Sequence, residues 1–240
     1  MGRRMNGFCS LLALVLLCLC GSFSSLPMAK VGAFTIPAQY DGFTFPPKLP
    51  AAKLPVVLEA FIDPMCPDCR SAWPTIKSLV ELYGSGLSLI LHPFPVPFHH
   101  NAFFSARLLQ IANNLNSSAT VPLLELIYKN QESFSNDATA DETPSSVVKR
   151  FVSLAEEVGL SFDEVYKGFS DSSTDDGTRI SFKYGCSRYV TATPTYLVNG
   201  VGTEADETWS VGRWRAILEP LVGRASALNI ATVVDDGEMD

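Results

Sequence analysis

The sequence predicts an α/β domain interrupted by a helical subdomain. Three observations carry this reading. Residues 55–94 read strand, helix, strand; residues 101–188 place apolar side chains at helical spacing; and a proline-led β run at 193–200 precedes one last helix. No internal repeat is visible. With 240 residues, 47% of them hydrophobic and 18% charged, the composition is that of a globular protein with a substantial core. A helical block inside one α/β unit fits this order better than two domains in tandem.

The first segment, residues 1–29, stands apart by composition. Arg3 and Arg4 precede an apolar run, Phe8–Gly21, and small residues follow in Ser22–Ala29. That is the order of parts in a secretory signal peptide. The run is shorter than the ~20 residues that span a bilayer, and a signal anchor is the alternative reading of the same stretch. Cleavage is expected between residues 21 and 29, after Gly21, Ser24 or Ala29. No later segment reads as a membrane span, so the processed chain is expected outside the cell or in the lumen of the secretory pathway, free of the membrane. The whole chain has 18 basic and 25 acidic side chains, a net charge of −7; without Arg3 and Arg4 the balance is 16 to 25, or −9. Such a surface argues against nucleic acid and anionic membrane as partners. Residues 223–240 read as an acidic, flexible tail with neither an anchor nor a retrieval signal.

The elements follow in order. Residues 30–54, rich in Pro and Gly, form an extended lead-in with room for one edge strand, and the folded domain is expected over 55–222. Its first strand, residues 55–63, is β-branched and apolar. A helix then starts at Pro67, whose missing N–H costs nothing at the first helical position. Ala72, Ile76, Leu79, Val80 and Tyr83 give that helix an apolar face, Pro74 should kink it, and Gly84 should end it. Residues 87–94 form a second strand and complete a βαβ unit. In the insertion, about 101–188, one apolar face holds Phe104, Leu108, Ile111 and Leu115, and another Val147, Phe151, Leu154 and Val158. Thr143 and Pro144 suit an N-cap and the first helical position, and Ser161 with Glu164 a capping box. A weaker helix over roughly 174–188 leads to the strand within 193–200, and a helix over 211–223 closes the domain.

Cys9, Cys18 and Cys20 belong to the apolar leader, which leaves Cys66, Cys69 and Cys186. Three cysteines cannot build a disulfide framework, although an oxidising compartment permits one bridge. Cys66-Pro67-Asp68-Cys69 stands at a helix start, where free N–H groups and the positive end of the helix dipole stabilise a thiolate. The second cysteine, one turn in, is positioned to resolve a mixed disulfide. A zinc site would need two further ligands. The three histidines, His92, His99 and His100, share one proline-rich stretch with longer spacing than a zinc finger, and a polar loop is the preferred reading for them. No metal or cofactor is expected, and no signal pairs a histidine with a cysteine nucleophile. Cys186 reads as a buried free thiol, with intermolecular pairing as the alternative. Asn116-Ser117-Ser118 matches the N-glycosylation pattern. Pro194, directly before a β run, belongs at a strand's first position or in a turn, and the Thr193–Pro194 bond is a candidate for the cis form.

Together these features resemble the thioredoxin superfamily: a dithiol beginning the first helix, Pro74 eight residues after Cys66, and the late run Thr193-Pro194-Thr195-Tyr196-Leu197-Val198-Asn199-Gly200. The helical block between the βαβ unit and that run is similar to the DsbA-like branch, as is the strand-to-helix passage over residues 92–109. The resemblance covers roughly residues 55–222. It implies a thioredoxin-like fold with a helical insertion between the βαβ unit and the cis-Pro strand. It also implies that Pro194 is cis and packs against the dithiol, with Thr193 offering backbone groups to a bound peptide by strand addition. The implied activity is thiol–disulfide exchange on protein cysteines by a monomer, with an unidentified redox partner. Cys66 would attack or be attacked, Cys69 would resolve, and Pro67 and Asp68 would modulate the pair. The alternative is a thioredoxin-fold binding or structural protein whose Cys66–Cys69 disulfide stays closed; a metal-binding protein using the dithiol with a histidine is a third.

Two positions depart from the family's pattern. Family members commonly carry a buried acid six residues before the first cysteine, and here that position is Ala60. Glu59 is displaced by one, which by strand alternation sends it to the opposite face unless a bulge intervenes. Asp68 stands where the oxidising branch often has histidine. A carboxylate close to Cys66 should disfavour its thiolate, leaving Cys66 less acidic and the pair less oxidising than in strongly oxidising relatives.

Overall fold

The computed structural model describes residues 40–46 and 56–235, with side-chain surroundings as far as Gly223. The expected signal peptide lies outside the described residues. β1 (Phe43–Phe45) is the edge strand of the lead-in. β2 (Val56–Ile62) is buried almost throughout because it runs through the middle of the sheet. It lies parallel to β3 (Leu87–Pro93), with Leu58 opposite Leu89 and Ala60 opposite Leu91. On its other side it lies antiparallel to β4 (Thr195–Val198), with Ala60 opposite Tyr196. β1 adds antiparallel to β3, and β5 (Val201–Gly202) to β4, so the order is β1-β3-β2-β4-β5.

Parallel neighbours need a crossover, and α1 (Pro67–Tyr83) supplies it. Cys66 is its N-cap, with extended backbone (φ −80°, ψ 122°), and Pro67 takes the first position. Gly84, at φ 50°, ends the helix and gives its N–H to the Val80 carbonyl. Between β3 and β4 lie α2 (Ala102–Leu115), α3 (Thr120–Asn130), α4 (Pro144–Glu157), α5 (Phe162–Gly168) and α6 (Ser172–Ser187). Thr143 and Ser161 cap α4 and α5 through the N–H groups of Ser146 and Glu164.

The chain closes with α7 (Val211–Asp235), which runs beyond Gly223 into the stretch where the sequence led us to expect a flexible acidic tail. The physical reason is local. Residues 224–235 contain neither Gly nor Pro and are rich in Ala and apolar residues, whereas the acidic run starts only at Asp235. Among the described residues no helix is long and apolar enough to cross a membrane.

One core joins the sheet to the insertion. Leu58, Ala60, Ile62, Leu89, Leu91 and Tyr196 share it with residues of α1 (Ile76, Leu79), α2 (Leu108), α3 (Leu124), α4 (Phe151) and α7 (Trp214). On the opposite face Phe61, Phe94, Val96, Val190 and Leu197 form a smaller cluster with Phe182 and Tyr184 of α6. α6 approaches the sheet at Gly185, where a Cβ would lie 2.5 Å from the Phe94 ring. Strand alternation in β2 therefore sorts its side chains as expected: Ala60 faces the dithiol side, and Glu59 and Phe61 face α6.

Candidate active site at the start of the first helix

The turn from β2 into α1 is held by its own backbone. Cys66 N–H donates to the Asp63 carbonyl at 2.9 Å, and Arg70 N–H donates to the Cys66 carbonyl at 3.1 Å. Gln131, buried in the 3-10 turn after α3, clamps the turn from outside: its Nε2 donates to the carbonyls of Pro64 and Cys66, both at 3.0 Å. Both cysteines are free thiols with little exposure, 5% for Cys66 and 2% for Cys69, while Pro67 and Asp68 are exposed. The Thr193–Pro194 bond is cis. Cys66 Sγ lies 3.4 Å from the Thr193 carbonyl oxygen. Cys66, Cys69 and the Thr193–Pro194 turn are thus brought together from ends of the domain 127 residues apart. Asn116 stands apart, exposed just beyond α2, with its Oδ1 accepting the Ser118 N–H at 3.1 Å.

The two thiols differ sharply in acidity. A hydrogen bond from Cys69 lowers the Cys66 pKa; burial opposes this, but the N–H groups of Cys69 and Asp68 and the Thr193 side chain add to the lowering, and the value falls from 9.0 to about 6. Burial pushes the Cys69 thiol well above its ordinary value, and the neighbouring Cys66 pushes it further. A thiolate at Cys66 beside a protonated Cys69 is the arrangement in which one sulfur attacks and the other waits.

Asp63 and His99 were not singled out for this site by the sequence. The Asp63 carboxylate is fully buried; Oδ1 accepts Met65 N–H at 2.8 Å, and Oδ2 accepts Val96 N–H at 3.1 Å and pairs with His99 Nδ1 at 2.8 Å. Hydrogen bonding to Asp63 raises the His99 pKa, against some desolvation, and the charges of Asp63, Cys66 and Asp68 raise it further. His99 therefore leaves the polar-loop reading and joins the electrostatics of Cys66. One signal was available: an acid ending an apolar strand must find a partner inside the fold.

Glu59 lies on the opposite face, 2% exposed on its side chain, within a second polar cluster. Its Oε2 accepts from the hydroxyls of Tyr40 and Tyr184, each at 2.9 Å, and lies 3.3 Å from His92 Nε2. His92 Nδ1 pairs with Asp41 Oδ2 at 2.8 Å, and Ser181 Oγ donates to the same oxygen at 2.9 Å. Burial alone would raise the Glu59 carboxyl, but the bonds from His92, Tyr184 and Tyr40 outweigh it and bring the pKa to about 2. His92 is thus committed to carboxylates away from the dithiol. Among the described residues no group of three or more His, Cys, Asp or Glu is arranged to hold a metal. Cys186 is exposed, a correction to its expected burial. Its neighbour Gly185 is the residue turned toward Phe94, and one residue further the helix has rotated the side chain outward.

A cavity of about 300 Å³ borders the turn, lined among others by Met65, Pro67, His99, Asn101 and Gln131. A larger, more apolar one of about 840 Å³ lies between Pro95, Pro97, Phe103, Phe182 and Lys183, and His99 borders both. A family model described as thioredoxin matches residues 50–219. No curated protein sequence matches the chain. Among solved structures, α-DsbA1 of Wolbachia pipientis is 15% identical with a TM-score of 0.61, over 75% of this chain and 91% of that one. The catalytic domain of Proteus mirabilis ScsC is 10% identical with a TM-score of 0.55, over 76% and 89%. A periplasmic thioredoxin-like protein from Salmonella enterica serovar Typhimurium is 16% identical with a TM-score of 0.54, over 76% and 90%. At such identities the likeness is one of fold.

Proposed function

The chain belongs to the thioredoxin family, matched over residues 50–219, and we propose that it is a thiol–disulfide oxidoreductase acting on protein cysteines in the secretory pathway or outside the cell. The observation that carries this reading is the asymmetry of the dithiol: Cys66 at about 6 on the helix N-cap, 3.4 Å from the Thr193 carbonyl, and Cys69 protonated behind it. The Cys66 thiolate attacks one sulfur of a substrate disulfide. The Cys66–substrate S–S bond forms, the substrate's own S–S bond breaks, and the departing thiolate takes a proton. Cys69, deprotonated in turn, attacks Cys66 Sγ and expels the second substrate thiol. Cys66–Cys69 is then a disulfide, and the substrate has gained two electrons from the dithiol, one proton from Cys69 and one from solvent; the reverse sequence oxidises a dithiol.

Thr193 and Pro194 would align the substrate backbone beside Cys66, and Pro67 and Asp68 would face it from the exposed side of the turn. The protein would work as a monomer on protein and peptide thiols, with a second thiol protein restoring its redox state, and without metal or cofactor. Exposed Asn116 would carry a glycan in a glycosylating compartment.

The test is disulfide exchange with a cysteine-containing peptide, in wild type and in Cys66→Ala. Exchange that depends on Cys66 is the expected result. A Cys66–Cys69 disulfide that resists reduction and supports no exchange would overturn the reading in favour of a binding protein.

A further inference from the structure

We propose that Asp63 and His99 are a pair of positioning residues that hold an imidazolium beside Cys66, in place of a basic residue inside the dithiol motif. The proposal rests on the exchange reaction above. Cys66-Pro67-Asp68-Cys69 has an acid and no base between its cysteines, so a cation serving the nucleophile must come from elsewhere in the chain.

The geometry of the pair is built for holding. Main-chain N–H groups from Met65 and Val96 fix the two oxygens of the Asp63 carboxylate, and this fixes the direction from which His99 Nδ1 can reach it. With Nδ1 bound to a carboxylate, that nitrogen keeps its proton in both charge states, and Nε2 is the atom that titrates. Nε2 has no hydrogen-bond partner among the described residues, and the side chain keeps 21% of its surface exposed, enough to exchange protons with solvent. A buried carboxylate without a countercharge is costly, so Asp63 favours the charged ring.

Influence between two titrating groups is reciprocal. Because the Cys66 thiolate raises the His99 pKa, the His99 charge must lower that of Cys66. It acts beyond hydrogen-bond range and adds to the larger effect of the N–H groups and Cys69. The other titratable and charged side chains near His99 are Asp68, then His100, Arg179 and Lys183 along one cavity it borders and Glu132 and Asp137 along the other. Asp63 holds the ring through the 2.8 Å bond at Nδ1.

The experiment needs no substrate. In a Cys186→Ser background, which removes the exposed third thiol, the rate of Cys66 alkylation by iodoacetamide is followed against pH. His99→Gln is expected to lower the thiolate fraction at pH 5 about three-fold, half a pKa unit, and to shift the glutathione equilibrium toward the disulfide by a similar factor. In the wild type, NMR titration should show the His99 pKa falling when Cys66–Cys69 is oxidised. Asp63→Asn should lower the His99 pKa and reproduce the alkylation change; if that variant does not fold, His99→Gln and the wild-type titration still decide. An unchanged Cys66 titration in His99→Gln, or a His99 pKa indifferent to the redox state, overturns the proposal. A protein inert in exchange would overturn the proposed function and leave these readouts intact, so the two failures are distinguishable.

Discussion

At Cys66 effects of opposite sign meet, and their sizes decide the outcome. Hydrogen bonds from Cys69 and from the first N–H groups of α1 lower the pKa, burial raises it, and together they leave it at about 6. The Asp68 carboxylate also opposes the thiolate, but it is exposed, where water and salt weaken its field. Alkylation of Cys66 is therefore expected to rise steeply through pH 6 and to level off above about pH 7; a midpoint near 9 would contradict the site as described. Asp68→His replaces a repelling charge by an attracting one. It should raise the thiolate fraction below pH 6 roughly three- to ten-fold and make the pair more oxidising, as read by its equilibrium with glutathione.

At the scale of elements, the helices carry their reasons in the local sequence. Thr143, Ser161, Pro67 and Gly84 start or end helices as their residue types require. The apolar face of α4 is the one the spacing marks, through Val147, Phe151 and Leu154; on α2 Leu108 and Ile111 are buried as expected, but Leu115, at the helix end, is exposed. Contact between elements is a different matter. α6 lies against the sheet because Gly185 has no Cβ to meet the Phe94 ring, and nothing in the local pattern of α6 announces that approach. Gly185→Ala should destabilise the fold by about 1–3 kcal/mol through overpacking, measured as a lower urea midpoint with an unchanged slope. The same crowding would show in Phe94, whose stacking on Phe182, with centroids 4.8 Å apart, must shift to admit the methyl group.

For the molecule as a whole, the cluster around Glu59 and His92 ties four parts of the chain together: Tyr40 and Asp41 of the lead-in, β2, β3, and Ser181 and Tyr184 of α6. Its pH dependence follows from two shifts of opposite kind. Glu59 is depressed from 4.5 to about 2, so its contribution to stability is present above pH 4.5 and is lost as the pH falls toward 2. Burial would lower the His92 pKa, but the bonds to Asp41 and Glu59 outweigh it and raise the value above 6.5. Its contribution is full below pH 6.5 and is lost as the pH rises through the elevated value. The cluster therefore stabilises most between pH 4.5 and 6.5. Glu59→Gln is expected to cost about 3 kcal/mol in that window, because it leaves His92 short of a buried counter-charge. The wild-type-minus-variant difference in unfolding free energy should shrink at pH 3 and at pH 9.

The sequence by itself determined the features that depend on near neighbours. These are the βαβ unit, the helical insertion, the helix ends marked by Pro67, Gly84, Thr143 and Ser161, the dithiol on an N-cap, the proline before the late strand, and the face to which alternation sends Glu59. Tertiary structure alone decided what lies beside those features in space. Asp63 finds His99 because the loop after β3 passes the start of α1, Glu59 finds His92 on neighbouring β3, Tyr40 in the lead-in and Tyr184 on α6 where these meet over one face of the sheet, and Cys186 faces solvent because Gly185 faces Phe94. Capping and periodicity act over a few residues of chain, whereas a buried charge is satisfied by whichever group the completed fold delivers to it. For that reason the dithiol on its helix start was legible in the sequence, and the Asp63–His99 and Glu59–His92 pairs were not.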